Sequence, residues 1–191
     1  MPQQEYDSPQ QSSLFDLPTD ALSTCSKAVT KILAKLTQIQ SQRKWLPSDI
    51  DENSVFYSRS IDSTLYTPIF ERVNEWILNN ENLGTQCRQE NENYFIGGLM
   101  LFDNAIKAAP SLLAPNHILL TYCSCLSLFW KSNSDFALTN KDLSEVFGLS
   151  LEKFNEMESE MFFGVLNGKA AILGQNFDAY KVRLLKKVAA L

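Results

Sequence analysis

A chain of 191 residues, 45% of them hydrophobic and 11% aromatic, is long enough for one sizeable core with a flexible end. A net charge of −5 and a pI near 4.9 argue against non-specific binding to nucleic acid or acidic lipid. The longest oily run, Ile118 to Trp130, is too short and too polar to span a bilayer, and residues 1–17 carry no basic stretch followed by an apolar one of the kind that directs secretion.

Residues 1–17, rich in Gln, Ser and Pro and poor in aliphatics, read as a disordered tail. After Pro18, Thr19 caps an N-terminal helix within 18–43, with Leu22, Cys25, Val29, Leu33, Leu36 and Ile39 toward one side. Residues 44–66 show neither helical nor strand period and read as an extended connection anchored by Phe56 and Tyr57. Thr67-Pro68 opens the next helix, whose apolar side is Ile69, Phe70, Val73, Trp76 and Ile77. A polar stretch follows, and then YFIGGLMLFDNAIKAA, which Pro110 ends. Gly97 and Gly98 weaken that helix by about 1 kcal/mol each relative to Ala, but they let another helix come close. From about Asn116, HILLTYCSCLSLFWK is apolar on nearly every side, the mark of a helix surrounded by others. A short helix at about 140–147 ends at Gly148, and Ser150 caps a longer one to about 166. The last helix, within 170–191, places Phe177, Tyr180, Leu184 and Val188 together. Seven helices without an alternating pattern predict an all-α domain around one central helix.

The chemistry-bearing residues are few. Cys25, Cys87, Cys123 and Cys125 lack metal-ligand spacing, and they read as reduced thiols of an intracellular chain. His117, the only histidine, sits near a helix start and reads as structural. With no Gly-rich phosphate loop, metal cluster or nucleophile–base pair, the sequence predicts no enzyme, no catalytic residue, no cofactor and no metal.

Two acids stand out because they interrupt apolar faces. At 100° per residue, Leu151, Phe154, Met161, Phe162 and Val165 share a stripe, and Glu158 falls between Phe154 and Val165. Glu152, Glu156 and Glu160 fall on the opposite side. A desolvated carboxylate needs a cation or several donors. Lys131, which closes the central helix where a cation suits the helix dipole, is the candidate partner. Asp103 likewise projects among Ile96, Leu99, Met100 and Ile106, and Arg72 on the preceding helix is its candidate mate in a structural salt bridge.

At this point the chain resembles a cyclin, and more narrowly the single-box group that includes the yeast phosphate-system cyclins, the plant P/U-type cyclins and cyclin Y. The resemblance runs from about Thr19 to Asn167 and rests on an ordered set of segments. These are an N-terminal helix, Phe56-Tyr57-Ser58 as an F-x-S segment, and Pro68 to Val73 as a P-x-x-x-R-V core. LMLFDNAI is similar to the L-x-Y-[IL]-D-R-x segment with Asp103 at the aspartate. LLTYCSCLSLFWK is similar to the central-helix pattern that ends in A-S-K, with Lys131 at the lysine. The most specific segment, residues 140–166, carries Glu158 at the group's glutamate. Departures are Phe147 in place of Val-Gly, Trp130 among expected small residues, Asn104 for an arginine, and no M-R-A-I-L docking patch.

The resemblance implies a single cyclin box at 53–169 with flanking N- and C-terminal helices, and a regulatory subunit that binds and activates a cyclin-dependent kinase of the phosphate-pathway or PCTAIRE-like branch. In that family the lysine and glutamate matched by Lys131 and Glu158 hydrogen-bond the backbone around the kinase's mobile αC helix. Leu128, Lys131, Glu158 and Phe162 are the expected kinase-binding anchors. Arg72 and Asp103 are expected to form the internal helix-docking pair. The alternative is a cyclin-fold protein-binding adaptor that activates no kinase, which the departures at Trp130 and Phe147 favour. No nucleic acid partner and no membrane span are expected, and the compartment is read as cytoplasmic, nuclear or both.

Overall fold

The computed structural model of the protein describes residues 20–46, 50–59, 64, 66–79, 91–134, 138–170 and 174–188. The tail expected at 1–17, Cys87 and the polar segment 80–90 lie outside them. The described helices are α1 (Asp20–Ser41), α2 (Tyr66–Asn79), α3 (Asn91–Ala108), α4 (Pro115–Asn133), α5 (Asn140–Phe147), α6 (Leu151–Ser159) and α7 (Gly174–Val188). A 3₁₀ turn at Pro110–Leu113 links α3 to α4, and α6 continues into a π turn at Glu160–Val165. The described residues contain no strand, so the fold is all-α. Among them, no helix is long and apolar enough to cross a membrane.

The all-round oiliness of α4 becomes all-round burial. Every residue from His117 to Trp130 is buried. Burying side chains the size of Leu126 or Trp130 contributes about 1.5–3 kcal/mol each. Two of the hydroxyls inside this helix are met locally: Ser124 donates to the Leu120 carbonyl at 3.0 Å and Ser127 to the Ser124 carbonyl at 2.9 Å, whereas the buried Thr121 hydroxyl has no partner among the described residues. Tyr122 reaches across to donate to the Phe95 carbonyl at 3.0 Å, tying α4 to α3.

The α3–α4 crossing depends on the glycine pair. A Cβ on Gly98 would lie 2.9 Å from the Leu126 Cα, and one on Gly97 would run into the Phe129 ring. Backbone therefore packs against helix surface where any larger residue would force the two apart. The far ring neighbour of Phe129 is Phe177 of α7, stacked at 5.9 Å, so the same crossing also seats the last helix.

Polar bonds fix the flanking pieces. Thr37 of α1 and the Tyr66 hydroxyl of α2 lie 2.7 Å apart, and burial pushes that hydroxyl up to about 12. Asn74 donates to Ser26 at 2.9 Å, closing a second α1–α2 link. In the connection, Phe56 is buried, and Ser58 and Asn116 exchange backbone and side-chain bonds at 2.8 and 2.9 Å. His117 is buried with Nδ1 3.2 Å from the Ser111 carbonyl and Nε2 3.2 Å from the Asp51 carbonyl, so its ring ties connection to core.

Candidate functional site: a clamped lysine at the end of the central helix

The local sequence sets up the site in three short steps. α4 stops just after Lys131, which lies in its last turn, where the unpaired carbonyls favour a cation. Thr139 then opens α5 through a capping box with Asp142, which fixes Asn140 at the first helical position. Gly148, in the left-handed region at φ 70°, ends α5, and Ser150 caps α6 by accepting from the Lys153 amide at 3.2 Å. These two turns bring α6 back past the end of α4, with Glu158 facing Lys131.

There the predicted pair forms. Lys131 Nζ lies 2.6 Å from Glu158 Oε1, with the two side chains 23% and 18% exposed. Lys131 also donates to Asn140 Oδ1. Asn140 Nδ2 donates to Glu158 Oε2 at 2.8 Å and to Asn155 Oδ1 at 2.7 Å. The ammonium stands 5.8 Å from the centre of the Phe154 ring, within cation–π range. Glu158 thus has one partner on each oxygen. Of the three N–H groups of the ammonium, two are directed to Glu158 and Asn140, and the third has no acceptor among the described residues.

The surrounding surface differs from the stripe read from periodicity. Phe154, Met157 and Met161 form the buried line of α6, whereas Leu151 is exposed. Glu158 therefore sits at the border of the apolar face rather than within it. Within the π turn beyond Ser159, Phe162 is half-buried and Phe163 69% exposed, their rings 4.8 Å apart. Leu128 is only 7% exposed, so it supports this face from beneath and offers little surface itself. Trp130 and Phe147 are core residues: Trp130 is fully buried against Trp76 and Tyr94, and Phe147 stacks on Phe154.

The expected Arg72–Asp103 bridge does not form. Arg72 points instead to the C-terminal end of α5, where its guanidinium lies 3.4 Å from the place a Cβ would take on Gly148. A helix C-terminus carries partial negative charge, which favours a cation there. Asp103 accepts a hydrogen bond from the Tyr180 hydroxyl of α7 at 2.8 Å. Burial and then the adjacent Asp103 carboxylate push that hydroxyl well above the usual tyrosine range. Asn140, Asn155 and Tyr180 are the residues the sequence reading missed. Tyr180 was visible as part of an apolar face, but nothing in its spacing pointed to Asp103.

Cys25, Cys123 and Cys125 are buried and form no disulfide among the described residues. Burial pushes the Cys123 thiol up to about 12 and the Cys125 thiol higher, away from the thiolate that nucleophiles and metal ligands need. Among the described residues, no group of three His, Cys, Asp or Glu is arranged to hold a metal ion. No protein-family model matches the chain, and no curated protein matches it either. What fold and site define is an all-α domain presenting a preorganised, half-exposed lysine–glutamate clamp beside two surface aromatic rings.

Proposed function

We propose that the protein is a cyclin-like regulatory subunit that binds and activates a cyclin-dependent protein kinase by positioning its αC helix. The observation that carries this reading is the Lys131–Glu158 pair at 2.6 Å, held by Asn140 and partly open to solvent. A salt bridge serving only stability would gain little from being half-exposed and braced from two sides. An ammonium fixed in place with one N–H unspent is suited to a backbone carbonyl of a partner, and the side-chain entropy of ordering it is already met within the chain. Phe162 and Phe163 supply apolar area next to the clamp, the usual composition of an interface centre. Two of the substitutions that distinguish this chain from the group's pattern, Trp130 and Phe147, lie in the core rather than on the surface.

The mechanism needs no chemistry from this chain. Docking against αC need only be stronger when that helix is turned inward, so that the kinase's own lysine–glutamate pair forms and ATP is aligned. Each 1.4 kcal/mol of difference shifts that equilibrium about tenfold.

The test is capture and stimulation of kinases from the phosphate-pathway and PCTAIRE-like branches. Lys131→Ala combined with Glu158→Ala is expected to weaken capture by ~2–4 kcal/mol, roughly 30-fold or more, while circular dichroism stays helical. Undiminished capture and stimulation by that variant would remove the mechanism. Capture that persists with no stimulation by the wild-type chain would make it an adaptor.

A further inference from the structure

A second surface lies on α1, α3 and α7, elements that contribute neither Lys131 nor Glu158. α1 and α7 both pack on α3 and leave a trough of about 760 Å³ between them. Its apolar lining comes from all three helices, with Ile32, Leu36 and Ile39 on α1, Leu99 and Ile106 on α3, and Leu184 on α7. Ile39 is 45% exposed, among the most exposed large aliphatic side chains described. Along the edges stand four cations: Lys35, Lys107, Arg183 and Lys187. None forms an ion pair with a described carboxylate. Asp103, the acid of the lining, has its carboxylate engaged by the Tyr180 hydroxyl.

This charge is set against the rest of the chain. α1, α3 and α7 together hold eight Lys and Arg against four Asp and Glu. Of the chain's seventeen cations and twenty-two acids, that leaves nine cations facing eighteen acids elsewhere. A basic, oily trough on an otherwise acidic protein is an electrostatic address.

Its dimensions identify the shape of the guest. The α1 wall from Ile32 to Ile39 and the α3 wall from Leu99 to Lys107 each run ~10–12 Å at 1.5 Å per residue. Three apolar anchors at i, i+4 and i+7 of a docked helix also span ~10 Å. The cations are spread over all three walls, and Arg183 and Lys187 are one helical turn apart. A ligand with a single anionic head would meet one of these positions and leave the others unanswered. A helix with acids flanking its apolar stripe would meet them on both sides.

We propose that this trough is a docking site for an acidic amphipathic helix of a partner protein, its apolar stripe on Leu36, Ile39, Ile106 and Leu184 and its carboxylates against Lys35, Lys107, Arg183 and Lys187. The site is independent of the kinase reading, because the clamp residues lie on α4, α5 and α6.

The experiment uses the full chain and fluorescence anisotropy with three synthetic fourteen-residue probes, each ~21 Å long as a helix and so overhanging the trough by about a turn at either end. One is a helix with leucines at i, i+4 and i+7 flanked by glutamates; the second replaces its glutamates by lysines; the third scrambles the first. The acidic helix is expected to bind, with affinity falling steeply with salt, at least tenfold more tightly than either control. Lys107→Glu with Lys187→Glu, both exposed positions whose replacement leaves the core intact, is expected to weaken it at least tenfold, whereas Lys131→Ala with Glu158→Ala leaves it unchanged. Equal binding of the scrambled or lysine probe, or no response to the charge reversal, overturns the proposal. So does hexadecyl sulfate or a random-sequence DNA duplex that displaces the acidic helix and binds more tightly than it, with the same loss on charge reversal.

Discussion

Glu158 and Asp103 each interrupt an apolar helix face, one on α6 and the other on α3, and the fold answers them with different chemistry. Glu158 meets a lysine and an asparagine, at a border where both charged ends keep some water. Asp103 meets a neutral phenol from a helix far along the chain. The first answer fixes a cation at the surface with a donor to spare. The second quiets an acid without neutralising it by a cation, and it leaves the nearby lysines and arginine free to act as a basic rim. An acid on an oily face is thus one signal with two outcomes, and the partner decides whether the result is a clamp or a seal.

The sharpest way to break the contrast is to strike the foundation both regions share. α3 carries Asp103, α4 carries Lys131, and they cross at Gly97 and Gly98. Gly97→Val drives a branched side chain into Phe129, which in turn bears on Phe177 of α7. The expected destabilisation is about 3 kcal/mol in urea unfolding, with kinase capture and probe binding lost together. A variant that lost one and kept the other would show that the two surfaces rest on separate supports.

A smaller effect separates the regions. Glu158→Ala leaves the Lys131 ammonium with Asn140 alone. For a fully buried pair the cost would be about 3–5 kcal/mol, but with both ends partly hydrated about 1–2 kcal/mol is expected. Glu158→Gln retains an acceptor for Asn140 and should recover part of that stability. If kinase capture needs the carboxylate charge, Glu158→Gln will stay deficient there. Equal recovery of stability and capture would reduce the pair to a packing element.

How far these features could be read from the sequence follows from what periodicity carries. A 3.6-residue pattern and its caps locate a helix because each turn repeats the same demand, so Gly148 and Ser150 marked the boundary between α5 and α6 closely. The same pattern says which face an acid lies on but not which neighbour's end it meets. Lys131 was legible as the mate of Glu158 because a helix terminus and a facing amphipathic helix leave few arrangements. Arg72 was misread because its long side chain had a second attractor, the C-terminus of α5, that no spacing on α2 reveals. The π turn escaped for a related reason. Glu160 to Val165 continues the apolar spacing, so nothing in the pattern marks the change of backbone hydrogen bonding there. Asn140 and Asn155 were silent because amides at helix surfaces are usually solvated, and only three-dimensional closure gives them a role.

The smallest expected effect at neutral pH concerns Tyr180, and it tests whether the second acid is truly sealed. Tyr180→Phe removes one hydrogen bond to a half-buried carboxylate that water can partly replace, so about 1 kcal/mol should be lost at pH 8. The alkaline limb carries the sharper information. Burial and Asp103 hold the folded hydroxyl above the value near 10 that the unfolded chain has. The unfolded state therefore loses this proton first. The stability tied to it is complete below about pH 10 and falls as pH rises, by up to ~1.4 kcal/mol per pH unit. Tyr66 and Cys123, both pushed up to about 12 by burial, add losses of the same sign in wild type and variant alike, so the difference between the two curves isolates Tyr180. Urea unfolding under reducing conditions should show the phenylalanine variant closing its deficit between pH 8 and pH 11, and overtaking the wild type above that. A deficit that stays constant across this range would mean that the hydroxyl is solvated in the folded chain, and that α7 is held in place by Phe177 on Phe129 of α4 rather than by the bond to Asp103.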